Sequence, residues 1–260
     1  MWFDECACSE SVDLCHTSRM DITSLTAPAV NASTARWTQQ GLVDRFWRGD
    51  PSIWSDDPDT PELANRLGWL DLHETMRPET AEIERVAAEV AERSDHVVLC
   101  GMGGSSLAPD VFSAVFGSRE GFPELIVLDS THPGAGLAVE SKIDPHRTTF
   151  VVSSKSGTTL ETLSFFRYFW PRTGSDGARF IAVTDPGSKL ADLGSERGFH
   201  AVFEANPNVG GRFSALTHFG LVPAALMGVD ITALLDADDL WEPQKLEHHV
   251  RQLDDGDLGL

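Results

Sequence analysis

Basic residues are scarce in this chain of 260: 20 Lys and Arg face 40 Asp and Glu, a formal net charge of −20. A field of that sign repels polyphosphate and excludes duplex DNA or RNA as a general partner. Any anion the chain binds must be gripped by a local pocket working against the global charge. Long apolar runs are also lacking. None is long enough to span a bilayer, and no charged-then-apolar secretory leader opens the sequence, so no membrane partner and a cytoplasmic location are expected. Cysteine is sparse, with four in all. Cys6, Cys8 and Cys15 crowd the start beside His16, but no second C-x-x-C or H-x-x-x-H element joins them. No metal is expected there. Residues 1–20 read as a frayed terminus or an extension ahead of Met20. Cys100, alone in an apolar run, reads as a small buried hydrophobe on a strand.

What the sequence does have is apolar content of 41%, enough for a globular core at this length. Residues 21–94 read as a mostly helical segment. A short helix is expected over 38–47, with Asp50-Pro51 and Asp57-Pro58 marking loops. Trp37, Trp47, Trp54 and Trp69 are irregularly spaced among acids, which suits packing anchors and not a base-stacking platform. Residues 79–93 place Ile83, Val86, Ala87, Val90 and Ala91 at helical spacing. After Asp95 the pattern changes. Runs at 96–101 (HVVLCG), 125–129, 149–153 and 180–185 are apolar without alternation, as strands buried on both faces are, and 201–204 is a weaker fifth. Helix-length stretches at 105–116, 136–141, 159–170 and 188–197 separate them. Strand and helix in alternation predict an α/β fold with a mostly parallel, doubly wound, Rossmann-like sheet.

Ligands of such sheets sit at the carboxyl ends of the strands, so the loops there carry the chemistry. Gly101 to Pro109 (GMGGSSLAP) opens a helix directly after a strand. Its glycines allow close backbone approach, and first-turn N–H groups suit an anion. The spacing matches neither the dinucleotide fingerprint nor a Walker loop. Taken alone, it leaves a tight turn capped by Ser105 equally open. Ser153 to Thr159 (SSKSGTT) sets five hydroxyls and one ammonium in seven residues at a helix start. That density favours a phosphate monoester over an ordinary Ser/Thr cap. Thr158 and Glu161 have capping-box spacing. In Asn208 to Ser214 (NVGGRFS), Arg212 leaves a glycine turn, a position equally suited to aiming a guanidinium into a cleft or pairing with a surface carboxylate. His132 and His218 lie near these motifs without a clear role, and His248 and His249 fall on a polar, acid-rich tail.

In this order and spacing, GMGGSSLAP, SSKSGTT and VGGRFSALTHFGLVP resemble the glucose-6-phosphate isomerases, especially the bacterial form found alone or fused behind transaldolase. The resemblance runs from about residue 69 to about residue 236. It implies two sugar isomerase (SIS) domains, each a three-layer αβα sandwich, of which residues 95–236 are the first. Residues 237–260 form an acidic tail, and the second domain is expected to be absent. The resemblance further implies that Ser154, Lys155, Ser156, Thr158 and Thr159 cradle a sugar 6-phosphate. Gly104 and Ser105 would line the sugar pocket, and Arg212 would stabilise the charge of an enediol intermediate. The implied reaction is metal- and cofactor-free interconversion of glucose 6-phosphate and fructose 6-phosphate, in glycolysis and gluconeogenesis, by a homodimer. The family's catalytic base, a glutamate, and its ring-opening histidine and lysine belong after the first domain. The chain is therefore expected to bind phosphosugar without turning it over. The alternative is a regulatory SIS module that senses a sugar phosphate without chemistry, but no basic helix-turn-helix accompanies it. The Arg212 setting favours the isomerase.

Overall fold

The computed structural model describes residues 22–57 and 59–238. The expectations for Cys6, Cys8, Cys15 and His16, and those for His248 and His249, lie outside these residues. Among the described residues no helix is long and apolar enough to cross a membrane.

The N-terminal segment opens with α1 (Ile22–Gln40) and α2 (Leu42–Trp47). The single helix expected over 38–47 is thus two elements. Gly41 between them takes a left-handed backbone, φ 57°, a conformation glycine adopts without a Cβ penalty. Asp50 caps the following turn, accepting from Ser52 N–H at 2.9 Å and pairing with Arg45 at 2.8 Å. These bonds hold its carboxyl down at about 2. Three of the four tryptophans read as anchors join one aromatic cluster, while Trp37 is 45% exposed. Phe46 packs against Trp47, Trp54 and Trp69, with ring centroids 5.3, 5.9 and 6.0 Å away. A one-turn helix α3 (Leu72–Thr75) leads into α4 (Thr80–Arg93), which buries Ile83, Val86, Ala87 and Val90 on one face. Ala91 is only half-buried.

Five strands form one sheet: β1 (His96–Gly101), β2 (Glu124–Leu128), β3 (Thr148–Ser153), β4 (Phe180–Thr184) and β5 (Ala201–Glu204). Their order is β2-β1-β3-β4-β5, and every neighbouring pair is parallel. On β1, Val97 and Leu99 face a core shared with α4, while Val98 and Cys100 face the opposite one. Both faces are covered, so the run from Val97 to Cys100 is apolar at every position. Burial of Cys100 also pushes its thiol well above the ordinary range.

The covering helices are α5 (Leu107–Phe116), α6 (Pro133–Glu140), α7 (Leu160–Phe169), α8 (Lys189–Arg197), α9 (His218–Leu226) and α10 (Ile231–Asp238). Residues of α4, α9 and α10 fill one core, with Phe112 of α5 packed against it. The other core holds Val139 of α6, three phenylalanines of α7 and Leu190 of α8. The result is an αβα sandwich in three layers. α6 begins earlier than the sequence suggests, because Pro133 suits a first helical position and the His132 imidazole accepts from Gly134 N–H at 3.1 Å. α7 begins later. Its N-cap is Thr159, whose side chain makes no cap bond, so the Thr158–Glu161 capping box does not form. The hydroxyls of that loop bond one another instead.

Candidate active site

The chain leaves β1 toward β2 on one side, then places β3 on the other, so strand order reverses between β1 and β3. Loops leaving the carboxyl ends of these two strands diverge and open a crevice. A cavity of about 420 Å³ lies here. Gly104, Ser105, Lys155, Ser156 and Thr159 line it, five of the eight residues singled out in the sequence.

Three segments are locked together around it. In the loop after β1, residues 103–105 make a tight 3₁₀ turn. A Cβ on Gly101 would lie 2.7 Å from the Ser105 carbonyl oxygen, and one on Gly104 would lie 2.4 Å from that of Gly211. Both positions therefore need glycine. Ser214, in the third segment, sits 2.7 Å from two carbonyl oxygens, Gly104 and Gly211. Ser153 at the end of β3 donates to the Ser105 carbonyl at 3.2 Å.

The hydroxyl loop is equally constrained. Ser154 is buried, and its Oγ lies 2.8 Å from Thr159 Oγ1. Its N–H donates to the Val183 carbonyl at 3.0 Å, tying the loop to β4. Gly157 turns the chain at φ 65°. Ser156 and Thr158 hydroxyls lie 3.0 Å apart and are exposed. Lys155 Nζ donates to both oxygens of Asp185, at 3.0 and 2.8 Å, and to the Pro207 carbonyl at 2.9 Å. Its charge is thus matched by an adjacent carboxylate.

The other three residues stand differently. Ser154 supports Thr159 from behind the wall, and Thr158 points outward beside Ser156. Arg212 is exposed and is not among the lining residues, while its neighbour Phe213 stacks on Trp69 at 5.3 Å. Residues given no individual role from the sequence complete the lining, among them Arg66 and Asn206, with Ser214 and Thr217 from within the third motif. Arg66 belongs to no motif. It reaches the site because Leu67 bridges Val209 and Gly68 N–H donates to the Asn208 carbonyl at 3.1 Å. Only tertiary pairing could reveal that. Among the described residues Asp185 is the one carboxylate in the wall and no imidazole joins it, and Lys155 occupies that carboxylate.

A second cavity, about 460 Å³, runs along the β5 edge with Glu79, Glu82, His200, Glu204 and His218 in its wall. His218 is buried, 3.8 Å from Glu79, and burial depresses its pKa below the usual imidazole value. His132 serves as the helix cap described above. The hydroxyl-lined cavity is the better site, since it joins glycine-walled backbone, hydroxyl donors and the strand-order reversal.

Known proteins share the chain's family and its fold. The phosphoglucose isomerase family matches residues 71–246. Glucose-6-phosphate isomerase of Carboxydothermus hydrogenoformans is 37% identical over 201 residues, covering 68% of this chain and 43% of its own. That of Thermus thermophilus is 36% identical over 182 residues, covering 67% and 42%. The solved structure of a hypothetical protein from Thermus thermophilus aligns with a TM-score of 0.65 at 31% identity, over 80% of this chain and 49% of that one. Glucose-6-phosphate isomerase of Chlamydia trachomatis shares the fold, with a TM-score of 0.59 at 24% identity, over 80% and 44%. The chain spans less than half the length of the curated relatives it matches. With its three motifs converging on one crevice, the chain belongs to the phosphoglucose isomerase family.

Proposed function

We propose that this chain binds the phosphate ester of a hexose 6-phosphate in the hydroxyl-lined cavity, as the substrate-holding part of a glucose-6-phosphate isomerase. The observation that carries the reading is the convergence of Ser156 and Thr159 with Gly104 and Ser105 at the β1–β3 reversal. Hydroxyls and main-chain donors give a phosphate its hydrogen bonds without requiring a large positive field. Ser154 and Thr158 set the orientation of their neighbours in this scheme. Arg212, a long side chain on the third loop, would serve the enediolate by swinging inward over the mouth.

Aldose–ketose isomerisation also needs a base beside the sugar carbonyl. Among the described residues the cavity offers Asp185 alone, and its carboxylate is held by Lys155. These residues thus supply binding and charge stabilisation, and the proton-transfer group comes from outside them. Titration calorimetry with glucose 6-phosphate is expected to register binding. Ser154→Ala combined with Thr159→Ala is expected to weaken it tenfold or more, about 1.4 kcal/mol or above. The same chain is expected to form no fructose 6-phosphate at ordinary enzyme rates. Silent calorimetry, or full turnover, sinks the corresponding half of the reading.

A further inference from the structure

Among the described residues the cavity wall contains one guanidinium, that of Arg66, and it arrives from the N-terminal segment and not from the sheet loops. The segment is fastened against the third loop by the Leu67–Val209 bridge and the Gly68–Asn208 hydrogen bond. A Cβ on Gly210 would meet Arg66 Cδ at 3.5 Å, so the side chain runs along the glycine turn. Its head is oriented by Glu62. Nε donates to Oε2 and an Nη to Oε1, both at 2.8 Å, and the other Nη donates to the Asn65 carbonyl at 3.2 Å. Glu62 itself holds a left-handed backbone, φ 61°, without being glycine. A strained residue that fixes an arginine in a crevice wall is the pattern of a functional position.

Charge decides what this arginine is for. Lys155 is enclosed by Asp185 and the Pro207 carbonyl, its side chain 28% exposed and that of Asp185 21% exposed. The carboxylate beside Arg66 is 68% exposed. An ion pair with one partner so open to water is weak, because solvent screens it. The guanidinium is therefore the cavity cation whose charge is least neutralised. It has five N–H donors, of which three are used, and two remain for an incoming oxyanion.

We infer that Arg66 is a ligand-binding residue of this site, neutralising the phosphate of the bound sugar ester alongside the hydroxyl loop. The inference rests on the phosphosugar reading above. It adds a contribution from outside the sheet: the segment before α3 belongs to the binding site and is not mere packing.

Calorimetry on the full chain with glucose 6-phosphate and with inorganic phosphate tests it. Arg66→Ala is expected to weaken both ligands tenfold or more while leaving the thermal midpoint near that of the parent. Arg66→Lys keeps the charge but loses the planar fork, and is expected to weaken both about threefold or more. This variant settles the matter if Arg66→Ala fails to fold. Unchanged affinity in the lysine variant and in a folded alanine variant overturns the role of Arg66 and leaves the hydroxyl-lined reading standing. Loss of glucose 6-phosphate binding with inorganic phosphate unaffected also overturns it, by assigning Arg66 to the sugar. No binding by the parent chain overturns both readings.

Discussion

Gly104 is where backbone from two distant segments meets with no room between. Any side chain there would press its Cβ onto the Gly211 carbonyl at 2.4 Å, and both partners are main chain. Neither can swing aside as a flexible side chain would. Gly104→Ala is expected to cost about 1–3 kcal/mol of stability, as overpacking does. It should also reduce sugar phosphate binding more than that loss explains, since it spreads the crevice. Denaturant unfolding beside calorimetry checks both, and an alanine variant with parental stability and affinity refutes the close approach. This residue is legible in the sequence through its glycine-rich setting after a strand. Arg66 is not, because an Ala-Asn-Arg stretch in a polar loop carries no pattern of its own. Thr158 misleads for a related reason. Capping-box spacing is present, but the helix takes Thr159 as its N-cap and the Thr158 hydroxyl pairs with Ser156 at 3.0 Å.

At the level of elements, the strands are the most readable. Burial on both faces writes itself as unbroken apolar runs, and β1, β3 and β4 appear within a residue of their expected bounds. β2 starts one residue early at Glu124, an exposed acid that apolar patterning passes over. The break at Gly41 escapes apolar patterning because Thr38, Gln39 and Gln40 before it carry no apolar side chain. Two helices depart from the amphipathic rule: α9 is buried all round, and α5 shows apolar side chains to solvent. Along α5, Leu107, Val111 and Val115 are 61%, 56% and 68% exposed at four-residue intervals, with Phe116 at 54% beside them. An outward apolar stripe of this kind favours association. The chain is expected to self-associate as its concentration rises despite its acidity. Val111→Lys with Val115→Glu should shift light scattering toward the monomer. A native chain that is monomeric throughout contradicts the expectation.

Considered whole, the molecule balances a strongly acidic surface against two imidazoles that it keeps neutral. His218 is depressed by burial, partly offset by Glu79, and His200 by burial and the nearby Arg93, partly offset by Glu89. On unfolding both regain the ordinary value of 6.5 and take up protons below it. Stability from this source is therefore complete above that pH and drains away as pH falls toward the depressed folded values. Thermal midpoints should decline from about pH 7 to about pH 5, and His218→Gln should flatten the slope. A parent and variant with parallel pH profiles would show that His218 does not contribute. The architecture of the whole is legible from alternating strand and helix, while the cavity is only half so, since its wall is recruited from Arg66 to Phe219.

That recruitment has a consequence for synthesis. The Ser214 hydroxyl reaches back 110 positions to Gly104, so the crevice closes only after the third segment has left the ribosome. All five strands precede that moment. A nascent chain thus has its sheet in hand before the crevice can close, while α9 and α10, which cover one face, follow Ser214, so a ligand of that crevice would steady only a polypeptide that has grown past its third loop.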